Sequence, residues 1–323
     1  MKVHHEKLGD ILLPDFLVVG AAKSATTSLY YYLGQHPEIQ MTSIKENWFF
    51  SFLNNPPHYT SPGKLHDVVT SLDEYVKLFK GASQEQRLGD ASPSYLYTYQ
   101  DTIQNIRSVY PQEALDKLRI IISLREPVSR AFSQYYTFKR VVQEPLSFEE
   151  AVQDNTIRRR LNDNWNIFYD YTGFGRYYEQ VKAFLDFFGN DRVLVVLYDD
   201  ILNEAVEVCK SIYTFLGVDS SFTPDVETRL NAVSGEPKVK WLVRALISRN
   251  PIKRTLSFFI KIILLCLPKE IRNKILHTLL TRLFKRTEIS ESIKLELSRA
   301  YCDDIKRLEA LIGRDLSQWG IDA

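Results

Sequence analysis

Gly20-Ala21-Ala22-Lys23-Ser24-Ala25-Thr26-Thr27-Ser28 is a stretch whose residue types suit chemistry on an anion. Small residues let a backbone fold tightly round a phosphate. The N–H groups of a helix N-terminus then point at it, with the helix dipole behind them. Lys23 adds a point charge, and the serine and threonine hydroxyls add donors. A Walker A loop needs GxxxxGK[ST]. Here the lysine comes three residues after the glycine and no GK[ST] follows, which disfavours a loop that cleaves ATP or GTP. A polar strand–helix turn without a ligand is the bland alternative. A second stretch, Arg125-Glu126-Pro127-Val128-Ser129-Arg130-Ala131-Phe132-Ser133, sets an arginine and a serine eight positions apart. Its bland reading is an ion pair between Arg125 and Glu126 and a serine on a helix surface.

Both stretches follow a strand. Asp15 to Gly20 is a short apolar run ending in glycine, the pattern of a buried parallel strand. From Ser28 the chain reads as a helix, with Gly34 and Pro37 as stop signals. Leu118 to Leu124 is a second such strand, and Pro127 suits the first turn of the helix after it. Arg192 to Leu197 is a third. Helical patterns cover Asp101–Tyr110, Ser147–Arg159, Gly175–Phe188 and Glu204–Leu216. Strands alternating with helices predict an α/β fold with a central parallel sheet flanked by helices. From Pro237 onward no strand is evident and helical patterns dominate. A single domain is expected over 1–323, with an α/β core at 1–235 and a mostly helical part at 236–323.

Composition narrows the class. The chain has 323 residues, 45% apolar and 25% charged, which excludes global disorder, collagen and coiled coil. A net charge of +1 gives no footprint for nucleic acid. Cys209, Cys266 and Cys302 are far apart, with no CxxC pair, so neither a zinc site nor a disulfide framework is expected, and no metal. The N-terminal residues lack the apolar core of a signal peptide. Leu256 to Leu267 is too short to span a bilayer and carries Lys261. A cytoplasmic protein is expected. Between Glu236 and Arg286, thirteen Lys or Arg face two Glu. This basic helical segment suits a solvated face, an anionic membrane surface or a cleft for an anionic polysaccharide.

The two stretches together, a KxxTTS-type loop after the first strand and RxPxxRxxS after a later one, resemble the sulfotransferases that use 3′-phosphoadenosine 5′-phosphosulfate (PAPS). Lys45-Glu46-Asn47-Trp48-Phe49-Phe50 is similar to the KExxFF segment of the carbohydrate branch, which includes the heparan sulfate enzymes, and Gly89-Asp90-Ala91-Ser92-Pro93-Ser94-Tyr95-Leu96 to its SPxY stretch. Gly175-Arg176-Tyr177, the run from Arg192 to Leu202 and the C-terminal end also fit. The resemblance covers nearly the whole chain and is weakest between Pro237 and Arg286. It implies a P-loop-NTPase-like three-layer fold.

The resemblance also implies roles. Lys23, Ser24, Ala25, Thr26, Thr27 and Ser28 would hold the 5′-phosphosulfate, and Arg125 and Ser133 the 3′-phosphate. A guanidinium fork and a hydroxyl suit that task. Tyr177 would lie on the adenosine side, with core packing as its alternative. Asn231 to Ser234, with Lys238 and Lys240, would close over the nucleotide. Transfer of a sulfuryl group depends on positioning and charge stabilisation. Glu46 would be the general base and Lys23 would neutralise the leaving phosphate. Lys45 would hold Glu46 ionised, touch the sulfate or be solvated. Ala91 stands where heparan sulfate enzymes often carry lysine, which argues against a vertebrate-like glycosaminoglycan acceptor. A carbohydrate or glycolipid acceptor is expected. A P-loop-type small-molecule kinase and a non-catalytic nucleotide-binding homologue are the alternatives.

Overall fold

Strands that are apolar without alternation belong in a sheet covered on both faces. The computed structural model describes residues 1–5, 7–62, 68–83, 85–227 and 288–320, and the paired backbone of 236–237 and 284–285. After an antiparallel hairpin of β1 (Lys2–His5) and β2 (Gly9–Leu12) come β3 (Phe16–Gly20), β4 (Ile39–Met41), β5 (Arg87–Ala91), β6 (Arg119–Leu124) and β7 (Val193–Leu197). These five form one parallel sheet in the order β4-β5-β3-β6-β7. The helices are α1 (Thr26–Leu33), α2 (Leu72–Val76), α3 (Ser94–Tyr97), α4 (Tyr99–Val109), α5 (Gln112–Leu115), α6 (Pro127–Arg140), α7 (Phe148–Ala151), α8 (Asp154–Asn162), α9 (Tyr177–Phe188), α10 (Tyr198–Asn203), α11 (Ala205–Leu216) and α12 (Glu291–Ile312).

Alternate strand side chains fill two cores. Leu17, Val19, Ile120 and Ile122 pack with Ile106 of α4, Phe184 of α9 and Tyr301 of α12. Phe16, Val18 and Ile121 pack on the other face with Leu29 of α1 and Ile212 of α11. This is the expected three-layer fold. The chain leaves β3 toward β4 on one side and leaves the neighbouring β6 toward β7 on the other. Such a switch point opens a crevice at the carboxyl ends of the strands.

The three long apolar strands lie where the sequence predicts them. The short β4 and β5 were not expected, and neither was the hairpin. Ser147–Arg159 is two helices rather than one. A capping box at Ser147 starts α7, and a break precedes α8. The expectation of no strand beyond Pro237 is corrected by a two-residue antiparallel pairing of Glu236–Pro237 with Phe284–Lys285, too short for a periodicity to reveal. The predicted C-terminal helicity is present in α12, which docks on the core. Its Asp304 accepts hydrogen bonds from the Tyr177 and Tyr178 backbone N–H groups (2.8 and 3.2 Å) and so caps α9. Leu256–Leu267, Asn231–Ser234, Lys238, Lys240, Cys266 and most of the basic segment lie outside the described residues. Cys209 is a buried free thiol whose pKa burial pushes up to about 12, and Cys302 is also free.

Candidate active site

The sheet order lays out the loops in a row along the carboxyl edge. The loops after β4 and β5 carry Glu46, Trp48 and Pro93. Next comes the loop after β3, then Arg125 after β6, then Tyr198 after β7. A cavity of about 1100 Å³ runs along this row, lined by Glu46, Trp48, Lys23, Arg125, Ser133 and Tyr198 among others.

The loop after β3 is tightly wound. Seven non-glycine residues of the described chain have positive φ, and four of them line the cavity: Lys23 (71°), Ala25 (62°), Glu46 (59°) and Trp48 (59°). Strain concentrated in this way marks a site held in place by its surroundings. Gly20 precedes the loop because nothing larger fits. A Cβ there would lie 2.5 Å from Leu96 Cβ. Ala25 offers no side-chain cap to α1, whose first turn carries no acid. The first N–H groups of α1 are therefore left for an anion. Ala25, Thr26, Thr27 and Ser28 line the cavity. Ser24 does not. It is fully buried and its carbonyl accepts a hydrogen bond from the Ser123 hydroxyl. Burial above all, with the charges of Arg140, Arg125 and Lys45 beside it, lowers the Lys23 pKa to about 8. Glu46 acts the other way.

Arg125 and Ser133 both line the cavity, from the end of β6 and from α6. The Arg125 guanidinium donates to the Lys23 carbonyl (3.2 Å) and lies over the Tyr198 ring, 4.3 Å from its centroid. It does not pair with Glu126. That carboxylate caps α6, accepting from the N–H groups of Val128 (2.7 Å) and Ser129 (2.6 Å). The N-terminus of α6 thus carries its own anion, and Arg125 brings a positive group to this end of the cavity. Tyr177 is not in the cavity wall. It is fully buried behind it, and its hydroxyl donates to the Arg125 carbonyl at 2.9 Å. Its place is that of a support for Arg125, which matches the core-packing alternative. The signal was the apolar face of α9.

Glu46 lines the opposite end, ion-paired with Lys45, which itself does not line the cavity. Beside Glu46, Trp48 packs against Phe168 with ring centroids 5.0 Å apart, and Phe138 of α6 joins this aromatic cluster. Successive positions of α6 face different parts of the cavity. Ser133 and Thr137 share one stripe, whereas Arg130, Gln134 and Phe138, four residues apart, share the other. Arg130 is fully buried and lies over Phe174 of the aromatic cluster, whereas Gln134 and Phe138 line the cavity. Gln134 is only 3% exposed, lines the cavity, and its Oε1 has no hydrogen-bond partner among the described residues. Buried amides are normally satisfied, which makes Gln134 a candidate contact for a polar group of a ligand. Gln134 and Tyr198 were not foreseen. A lone Gln on an amphipathic helix and a Tyr after a strand carry no distinctive spacing.

His36, which is buried, has both ring nitrogens engaged with backbone groups. Its Nδ1 accepts from Glu38 N–H (3.1 Å), and its Nε2 meets the Asp219 carbonyl (2.9 Å).

A family model described as "Sulfotransferase family" matches residues 14–224, a span that includes every residue placed above in the cavity wall. The crystal structure of a sulfotransferase from Alicyclobacillus acidocaldarius is 30% identical, with a TM-score of 0.71, covering 96% of this chain and 99% of that one. The membrane-associated sulfotransferase kil1 of Dictyostelium discoideum is 24% identical over 70% of this chain and 60% of its own length. The bifunctional heparan sulfate N-deacetylase/N-sulfotransferase 1 of Mus musculus is 24% identical over 64% of this chain and 22% of its own. The chain therefore spans less than two thirds of these two relatives. No helix among the described residues is long and apolar enough to cross a membrane.

Proposed function

The chain belongs to the sulfotransferase family, and from that premise we propose that it moves a sulfuryl group from PAPS to a hydroxyl or amine of a carbohydrate-like acceptor. The observation that carries this reading is the meeting of the Lys23 loop, the Arg125–Ser133 pair and Glu46 in one cavity. Lys23 and residues 24–28 hold the 5′-phosphosulfate, chiefly through the open N–H groups of α1, with Ser24 contributing backbone rather than hydroxyl. Arg125 and Ser133 hold the 3′-phosphate. PAPS supplies the activated sulfuryl group. The acceptor oxygen attacks sulfur as the bond from sulfur to the 5′-phosphate oxygen breaks. The acceptor proton passes to Glu46, and the charge left on the phosphate is met by Lys23. Lys45 keeps the Glu46 carboxylate oriented.

Two features support an acceptor with both apolar faces and hydroxyls: the aromatic wall of Trp48, Phe138 and Phe168, and the buried amide of Gln134. A sugar ring has both. The basic segment 236–286 is proposed to meet the acceptor or a membrane surface. The experiment is transfer of label from PAPS to a panel of neutral glycosides and glycolipids, repeated with Glu46→Gln. Turnover falls about 100-fold or more while affinity for 3′,5′-adenosine bisphosphate is retained. Loss of that affinity in step with turnover overturns the base assignment.

A further inference from the structure

Glu46 stands on a turn that is costly to form. It and Trp48 both have left-handed backbone, with Asn47 between them, a conformation that costs an L-residue about 1–2 kcal/mol. The turn is tied to the end of β5 residue by residue. Glu46 N–H donates to the Ala91 carbonyl (3.0 Å), and Trp48 N–H to Ser92 Oγ (3.3 Å). Between these two ties the Asn47 amide donates to Asp90 Oδ1 at 2.7 Å, while its Oδ1 accepts from Phe49 N–H at 3.0 Å. Asn47 and Asp90 are both fully buried. Asp90 makes no ion pair among the described residues. Its other oxygen accepts from the hydroxyls of Tyr75 (2.9 Å) and Tyr95 (2.7 Å).

A buried carboxylate without a cationic partner is an expensive way to fill a core, and an apolar side chain would cost less. What the carboxylate adds here is direction. Its two oxygens are spoken for by three donors, so it fixes Asn47, and Asn47 fixes the turn. We propose that Asp90 is a positioning residue that aims Glu46 through Asn47. This rests on Glu46 being the base of the reaction proposed above. Asp90 touches neither donor nor acceptor.

The test compares Asp90→Asn, Asn47→Ser and the double variant with the unaltered protein and with Glu46→Gln. Two quantities are read. One is bisphosphate released from PAPS, with methyl β-glucoside as acceptor and with water alone. The other is the affinity for 3′,5′-adenosine bisphosphate by calorimetry. Each single variant loses about tenfold or more in turnover, since small misplacements of a catalytic group are costly. Affinity for the bisphosphate stays within about twofold, and the double variant is no worse than either single one, as for partners in one contact. A merely structural role lowers affinity and turnover together, and independent roles make the losses add. Either result overturns the proposal, as does full turnover in Asp90→Asn. If Asp90→Asn does not fold, Asn47→Ser carries the same two readouts by itself. Glu46→Gln that keeps turnover removes the base reading. An inactive Glu46→Gln beside an active Asp90→Asn removes the positioning role alone.

Discussion

Replacing Lys23 by methionine should stabilise the unliganded protein while weakening its hold on the donor. Folding moves the Lys23 ammonium into a partly buried cavity wall with other cations around it, which lowers its pKa from 10.5 to about 8. At about 1.4 kcal/mol per unit, this costs ~3 kcal/mol of stability at pH 7. The sign follows from proton counting. Between pH 8 and 10.5 the unfolded chain binds more protons than the folded one, so stability rises with pH across that window. Methionine keeps a similar unbranched stem and has no charge to desolvate. The gain is then ~3 kcal/mol at pH 7 and falls to about 1.4 kcal/mol at pH 9.5. Urea melts of both proteins at the two pH values measure it. The same substitution weakens binding of 3′,5′-adenosine bisphosphate by about 10- to 100-fold, the worth of a charged hydrogen bond. A destabilised Lys23→Met, or a gain that does not shrink with pH, would refute the electrostatic reasoning.

Gly20→Ala forces a methyl group against Leu96 and is expected to cost about 1–3 kcal/mol in a urea melt. Unchanged stability would mean that the loop yields easily. Gln134→Leu is expected to raise the acceptor KM about tenfold, the value of one buried hydrogen bond left unmade, with bisphosphate affinity unaltered. A matched loss of bisphosphate affinity would place Gln134 with the donor instead.

The strands that frame the site were legible because β3, β6 and β7 are continuous apolar runs bounded by turn signals. β4 and β5 were not. β4 has three residues, and β5 carries a glycine and an aspartate that β-propensity counts against. Gly89 is there because a Cβ would lie 2.2 Å from the Phe16 ring, a contact no single segment announces. Lys23, Arg125 and Ser133 stood out by type and spacing and Glu46 through the family resemblance, and the four line one cavity. The direction of each side chain was less accessible. Ser24 faces inward because its neighbours take left-handed backbone, and Tyr177 is drawn under Arg125 by the packing of α9. Glu126 looked like a partner for Arg125, yet the N-terminus of α6 holds it. Gln134 and Asp90 depend on what faces them across the fold.

The central claim is that the cavity accepts a nucleotide carrying both a 5′- and a 3′-phosphate. Calorimetric titration with 3′,5′-adenosine bisphosphate, beside ATP and 5′-AMP, tests it most directly. The account predicts that the bisphosphate binds best and that Arg125→Ala abolishes its advantage over 5′-AMP. Preference for ATP, or a bisphosphate advantage that survives Arg125→Ala, would contradict it.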